Sequence, residues 1–567
     1  MKSASPPQKA VADVVSEALL YPSRSGLKLS AFWDHRAEGF ERCPFVIVAP
    51  KYGETKKNNL QLAYLLAANG MNVVRFDHAN HVGESAGEKT AFTLPGGVED
   101  ILATVDHLVA RFGISSVSLL ASSLSARTAL RAAARDPRIG HLVCIVGVVN
   151  VRHTLREVYR EDLVANHLAG KTWGVTDILG HEIDFDQFLA HACDSQMHDL
   201  EGAARDLAAT TIPVTYFSGE EDTWVLFGEV EQVVGRAPRG RVVKLAGAKH
   251  EVRENEPVAQ KAFNEVVGEI IREAWGLENA PTELRTPDIR QVFAQNRIER
   301  ARLKKASPTG PSELSFWSDY LRKFDLLGRV EDYCTYLELV GELLGPFKPG
   351  ERVLDAGCGS GLFGAWLLRN LPAVPRSGSP MLYVGLDLTQ HGLAESSAKH
   401  TALIAARAKA DRTWVERGVD VMYARANFDR IGPEADPREM PRFVDGMFDV
   451  ICCSLVLSYL VDPSIVLAEF RRLLRPGGRL MVSSMKPHCD MSTIYRDFMD
   501  QGVSGTELQS ARNLLSAAGQ IKLKEEQGYY VFYSGEQLVD MLRAAGFRDM
   551  QVFASFGDQA VVVRSSA

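Results

Sequence analysis

From about residue 26 to 275, short apolar runs alternate with stretches whose apolar positions recur at helical spacing. The runs are Phe45–Ala49, Asn72–Phe76, Val117–Leu120, Leu142–Val146, Val214–Ser218 and Arg241–Leu245. Strands alternating with helices predict a mostly parallel sheet covered by helices. The stretch from about Val151 to Leu207 breaks the alternation: it is polar, helical in pattern and studded with aromatics, which predicts an inserted cap. Residues 278–290 are polar, contain Pro281 and Pro287, and suit a linker. A helical lead-in to about residue 330 follows, with a looser patch at Lys304–Ser312. Strand–helix alternation resumes at Arg352 and continues to the end of the chain. The predicted fold class is α/β, in domains at 1–277 and 331–567 joined by 278–330. No internal repeat is visible, so the halves are not a duplication.

Composition narrows the class. A chain of 567 residues is too long for one ordinary domain. With 46% hydrophobic and 24% charged residues it reads as a soluble globular protein, and a net charge of −7 gives no sign of nucleic-acid binding. No apolar run approaches the roughly 18–20 residues of a membrane span. The longest, Leu142–Val149 and Val450–Val461, suit buried strands or a strand running into a helix. The start, MKSASPPQKAVADVV, lacks the apolar core of a signal peptide. Eight cysteines form no CxxC pair, and Cys452 and Cys453 adjoin inside an apolar strand. Neither a disulfide framework nor a metal site is expected, and a reducing cytoplasm fits.

The first candidate chemistry lies at Val117–Arg127, a strand running into a helix through three serines. A nucleophile at such a sharp turn needs small residues two before and two after it. Ser123 has Ala121 and Ser125 there, whereas Ser122 would have two leucines and Ser125 would have Arg127. The elbow is A-x-S-x-S. The acid of such a hydrolase follows a later strand and its histidine comes later still. After Val214–Ser218 the loop reads Gly219-Glu-Glu-Asp-Thr-Trp-Val225, so Asp222 is the candidate acid, with Glu220 and Glu221 as alternatives. After Val242–Leu245 the loop Ala246-Gly-Ala-Lys-His250 offers His250 as the base. The base would take the Ser123 proton and the acid would hold the imidazole. One oxyanion donor is expected at the Leu124 amide and the other within Lys51-Tyr52-Gly53, with Tyr52 central.

The motifs NGMNVVRFDHANHVGESAG (69–87), ASSLSAR (121–127), VGVVNVRHTL (146–155), GEEDTWV (219–225) and AGAKHEVREN (246–255) together resemble the acyl transferases of the bacterial bioluminescence system, the myristoyl-ACP thioesterase family. The resemblance spans most of residues 20–270. It implies an α/β-hydrolase fold with a cap, and activity on fatty-acyl thioesters carried by acyl carrier protein. The family's serine, aspartate and histidine fall on Ser123, Asp222 and His250, and the cap is expected to line the acyl pocket.

A second constellation opens at Arg352-Val-Leu-Asp-Ala-Gly-Cys-Gly-Ser-Gly361: a strand, a glycine-rich turn, then a helix over Leu362–Asn370. Gly357, Gly359 and Gly361 let the backbone approach a ligand at the helix start. Their GxGxG spacing differs from the GxGxxG of a dinucleotide site. The next strand, Tyr383–Asp387, ends in an acid that can accept hydrogen bonds from both hydroxyls of a ribose. With FDVICCSLVLSYL and LLRPGGRLMVSS, these motifs resemble class I S-adenosylmethionine-dependent methyltransferases, which have a Rossmann-like fold, over about residues 330–565. The resemblance implies that Asp355 and Gly357–Gly361 hold the methionine end of S-adenosylmethionine and Asp387 its ribose. It puts Ser454 and Leu455 near the sulfonium. The adenine-contacting position falls in Ala426–Asp429, where Asn427 and Asp429 both qualify. Residues 486–533 carry Met, Tyr and Phe at helical spacing and read equally as a lid over the acceptor or as packing.

The combined expectation is a bifunctional enzyme that releases an acyl chain from a carrier thioester and methylates the product, the carboxylate being one acceptor. Two other readings use the same residues. In one the acyl group passes to an alcohol or amine and another atom is methylated; in the other, one domain only binds.

Overall fold

The computed structural model describes residues 11–567 except 180, 251, 253–255, 282, 307–312, 372–378, 411–417, 432–439, 488, 490–518 and 526–528. The looser patch at 304–312 and the segment at 486–533 fall largely outside the described residues, as does most of the Pro/Gly/Ser-rich insertion before Tyr383. The chain divides into two compact units at Ala306 and Ser307.

The first unit is built on an eight-stranded sheet. Its strands lie in the order Gly240–Leu245, Val214–Gly219, Ile139–Ile145, Val117–Ser122, Phe45–Ala49, Asn72–Phe76, Lys28–Arg36 and Val14–Pro22. The first six are parallel, and Lys28–Arg36 runs antiparallel to both its neighbours. Phe45–Ala49 and Asn72–Phe76 are buried along their whole length, because helices cover both faces and every position must be shielded. The helix Leu94–Phe112 shows local determinants at both ends: the Thr93 side chain accepts from the Gly96 amide, and Gly113 closes it at φ +66°. This is an α/β-hydrolase fold with a cap between Ile139–Ile145 and Val214–Gly219.

The cap differs in one element from the helical pattern read in the sequence. Four helices, Val151–Tyr159, Leu163–Leu168, Phe185–Asp194 and Leu200–Ala208, flank a hairpin of Val175–Ile178 against His181–Asp184. The hairpin alternates buried Ile178, His181 and Ile183 with exposed positions, a period of two too short to register in a helix-dominated stretch. Three cap helices start on aspartates, Asp162, Asp184 and Asp199, each accepting a backbone N–H of the first turn.

The segment read as linker and lead-in divides between the units. Ile289–Ala306 is a helix of the first unit. There Glu299 meets Arg75, which also pairs with Asp34, all three side chains being at most 2% exposed. The five N–H groups of Arg75 go to Asp34, Glu299 and the Lys56 carbonyl.

The second unit holds a seven-stranded sheet in the order Val419–Arg425, Met381–Asp387, Arg352–Ala356, Phe448–Cys453, Leu474–Met485, Ala560–Ser566 and Arg548–Ser555. The first five are parallel and Ala560–Ser566 is antiparallel to both neighbours. Chain order reverses between Arg352–Ala356 and Phe448–Cys453, where a doubly wound sheet opens a crevice beyond its strand ends. This is the Rossmann-like methyltransferase fold.

Candidate functional site

In the first unit the strand Val117–Ser122 passes into the helix Leu124–Arg135 through Ser123, held at φ +50° and ψ −130°. A non-glycine residue in that region is strained, and such strain collects at functional sites. The carbonyl of Ser123 accepts from Val148 N and its amide donates to the Ile145 carbonyl, so the next strand pins the turn from both sides. Ser125, small enough for the elbow, also donates its hydroxyl to the Pro50 carbonyl. That bond ties the elbow helix to the loop bearing Lys51-Tyr52-Gly53.

Ser123 Oγ lies 2.9 Å from His250 Nε2, and His250 Nδ1 lies 2.9 Å from Asp222 Oδ2. The other Asp222 oxygen accepts from the Trp224 and Val225 amides at 2.9 and 3.0 Å, and the side chain is fully buried. Trp224 stacks on the His250 ring at 4.7 Å. Of the alternatives, Glu220 turns outward to Lys244 at 3.0 Å and the Gly247 amide at 3.4 Å. The structure therefore brings Ser123, His250 and Asp222 into one hydrogen-bonded row. Leu124 opens its helix, so its amide has no partner within that helix.

The Tyr52 loop holds residues that the sequence pattern did not point to. Gly53, at φ +85°, donates its amide to His81 Nε2 at 3.2 Å. Burial holds His81 well below the ordinary histidine value. The ring is thus neutral, and because Nε2 accepts, its proton sits on Nδ1. His181 of the cap hairpin closes over the same glycine: a Cβ at Gly53 would come within 2.6 Å of its Nε2. Tyr52 packs edge-on to both histidines, with ring centroids 5.1 and 5.5 Å away. No spacing rule links Tyr52 to His81 or His181, so the sequence carried no signal for this cluster.

The cavity that reaches Ser123 and His250 is lined by sheet and core residues, among them Lys51, Glu54, Asn59, Leu62, Val252 and Phe263. The cap itself is anchored by Leu155, Leu163, Val164, Phe185, Phe188 and Leu189, which are buried in the unit's main core.

In the second unit Asp355 lies in the strand Arg352–Ala356, one residue from its end, and Gly357, Gly359 and Gly361 follow at φ +82°, +53° and +85° before the helix Leu362–Asn370. A Cβ at Gly357 would overlap Val456 Cγ2, and one at Gly361 would lie 2.5 Å from Ser396 Oγ. Asp387 Oδ2 accepts from the Gly359 amide at 2.9 Å, while Oδ1 accepts from Thr389 N at 2.8 Å and Thr389 Oγ1 at 2.7 Å. Three of the roughly four acceptor positions of this carboxylate are therefore taken. One remains for a ligand, where the sequence suggested two. Asp355 accepts from the Tyr383 hydroxyl at 2.7 Å, and burial pushes its carboxyl up to about 7 despite that bond.

Asp355, Gly357, Gly359 and Asp387 share one cavity, whose lining does not include Gly361. Its lining includes the polar Asp355, Asp387, Asn427, Asp429 and Ser454 with Gly357 and Gly359, and the apolar or aromatic Trp317, Tyr320, Leu327, Tyr333, Leu362, Tyr459, Met485 and Phe556. Asn427 and Asp429 are both present. The Asn427 side chain accepts from the Asp429 amide at 3.1 Å, and Asp429 accepts from the Val461 amide at 2.6 Å.

Comparison with known proteins divides the chain in the same way. Residues 36–306 match the family model described as acyl transferase, and residues 328–552 match one described as a methyltransferase domain. An acyl transferase of Photobacterium phosphoreum is 28% identical over 46% of this chain and 84% of its own length. One of Photobacterium leiognathi is 30% identical over 40% of this chain and 74% of its own length, and one of Photorhabdus luminescens 31% identical over 39% and 72%. Among solved structures, that of ferulic acid bound to Est1E from Butyrivibrio proteoclasticus covers 46% of this chain and 100% of its own, at 18% identity and a TM-score of 0.38. The chain belongs to the acyl transferase family through its first unit and joins to it a methyltransferase domain, which makes it a bifunctional enzyme that handles acyl groups and methylates.

Proposed function

We propose that the first unit releases an acyl chain from a thioester, acyl carrier protein being the donor, and that the second methylates the freed carboxylate with S-adenosylmethionine. The observation that carries the first half is the unbroken Ser123–His250–Asp222 row. Ser123 Oγ attacks the thioester carbonyl as its proton passes to His250 Nε2. The carbon–sulfur bond breaks and the thiolate leaves with that proton. His250 then deprotonates a water, which opens the Ser123 ester and releases the acid. Asp222 keeps the imidazole oriented and offsets its charge. The amides of Leu124 and Tyr52 serve the oxyanion, and His81 holds the latter's loop through Gly53. The relatives' name, acyl transferase, favours a second reading, in which an alcohol or amine replaces the water.

For the second unit, the lining suits the donor: a glycine turn opening a helix toward the cavity, a buried acid at the next strand end, and the Asn427/Asp429 pair beyond it. Asp355 would hold the ammonium end and Asp387 one ribose hydroxyl. S-adenosylmethionine, when bound, supplies an activated methyl group. A carboxylate is already ionised at neutral pH, so the chain need only bind and align it.

The test is mass spectrometry of products from an acyl-carrier-protein thioester plus S-adenosylmethionine. Wild type should give a methyl ester, Asp387→Ala mainly free acid, and Ser123→Ala neither. Acid without any ester, at every chain length tried, would remove the carboxylate as acceptor. A mass increment equal to an added alcohol or amine would select the second reading.

A further inference from the structure

A line of three hydroxyls runs into the methyltransferase cavity, and hydrogen-bond satisfaction fixes which way its protons point. Ser483 is fully buried. Its Oγ accepts from the Leu455 amide at 2.9 Å and lies 2.7 Å from the Tyr336 hydroxyl. Tyr336, also fully buried, lies 2.6 Å from Ser454 Oγ. Ser454 is half-buried and lines the cavity.

Three proton orders are conceivable, and the one in which both serines donate to Tyr336 strands the buried phenol's own proton. If Ser454 donated to Tyr336 and Tyr336 to Ser483, the Ser483 proton would be left in a dry interior with no acceptor among the described residues. A buried donor without a partner costs about 1–3 kcal/mol. In the opposite order every buried group is satisfied: Leu455 N donates to Ser483, Ser483 to Tyr336, and Tyr336 to Ser454. Burial also raises the Tyr336 phenol above its ordinary value, so it keeps the proton that this order requires. Ser454 Oγ then accepts from within the protein, and its own proton has only the cavity to point into.

The same cavity is lined by Trp317, Tyr320, Tyr459 and Phe556, a surface for an apolar chain. We propose that Ser454 donates a hydrogen bond to the carboxylate of the acceptor acid, with Tyr336 as the positioning residue that turns its proton outward. This assigns Ser454 to the acceptor rather than to the methyl donor. It also gives the acceptor class: a carboxylic acid with an apolar tail, head at Ser454 and tail among the aromatic rings. The inference rests on the carboxylate reading given above.

The experiment has two arms on the full chain. In the first, wild type is incubated with S-adenosylmethionine and octanoic, dodecanoic or hexadecanoic acid, and ester is sought. In the second, calorimetry measures the Kd of the same acids in protein saturated with S-adenosylhomocysteine, and separately the Kd of S-adenosylhomocysteine itself. Ser454→Ala should weaken the acid by about tenfold to a hundredfold, the usual range for a bond to a charged group, with the S-adenosylhomocysteine Kd unchanged within about twofold. Ser454→Thr, which keeps the hydroxyl, should restore most of the acid affinity. Tyr336→Phe should weaken the acid by less than Ser454→Ala and also spare S-adenosylhomocysteine. No ester from wild type with any acid removes the carboxylate reading and this inference with it. Ester from wild type, with acid binding untouched in Ser454→Ala or with both ligands weakened equally, leaves that reading standing and overturns the role of Ser454.

Discussion

Ser123 is the residue on which the first unit turns. Its backbone is held at positive φ by bonds to Ile145 and Val148, so the strain is carried by the neighbouring strand and not by its own side chain. Ser123→Ala should therefore fold normally, shift Tm little, and lose fluorophosphonate labelling and acyl release by at least about 10³-fold. Asp355 makes a prediction of the opposite kind. Its folded value of about 7 lies above the 3.8 of an ordinary aspartate, so the native state binds the extra proton. The resulting stability is fully present below about pH 4 and is lost as pH rises toward 7. Asp355→Asn keeps an acceptor for Tyr383 but has no charge to bury. Its Tm relative to wild type should climb between pH 5 and pH 8, while its affinity for S-adenosylhomocysteine falls. A Tm difference constant with pH would show that Asp355 ionises in the folded protein as it does in the unfolded chain.

At the scale of elements, the helix Ile289–Ala306 illustrates how little its own sequence says about its place. It is polar and basic, and alone it reads as a solvated lead-in. It docks through buried Val292 and Leu303, through Arg302 on Glu84, and through Glu299, one of two carboxylates on the fully buried Arg75. Removing Glu299 leaves Asp34 to balance the Arg75 charge but takes an acceptor from two of its buried N–H groups, at about 1–3 kcal/mol. Glu299→Ala should lower the stability of the first unit by that order, read as a fall in Tm, and should cost more than Glu273→Ala at the partly exposed pair with Arg272. The glycine turn is the corresponding element of the second unit. A side chain at Gly357 must displace Val456 and adopt φ +82°, so Gly357→Ala should abolish S-adenosylhomocysteine binding by calorimetry.

For the molecule as a whole, the two chemistries lie in units with separate cores and separate cavities. Loss of one should leave the other. Ser123→Ala supplied with free acid should still form methyl ester, and Gly357→Ala should still label with fluorophosphonate and release acid from the thioester.

Much of this was legible from sequence because the determinants are local. Strand positions such as Phe45–Ala49 and Asn72–Phe76 follow from runs that must be buried on both faces. The choice of Ser123 follows from residue size two positions either side. Asp222 and His250 follow from their place after successive strands, and the glycine turn from its spacing. What only the tertiary structure decided are bonds between residues far apart in the chain. The Gly53–His81 bond, the Ser125–Pro50 bond, the Arg75–Glu299 pair and the Ser454–Tyr336–Ser483 line join segments 28 to 224 positions apart. Hydrophobic period and motif spacing constrain each segment separately and carry no information about which polar group of one will meet which of another. That choice is made when burial strips water from both and each must find a partner in the fold.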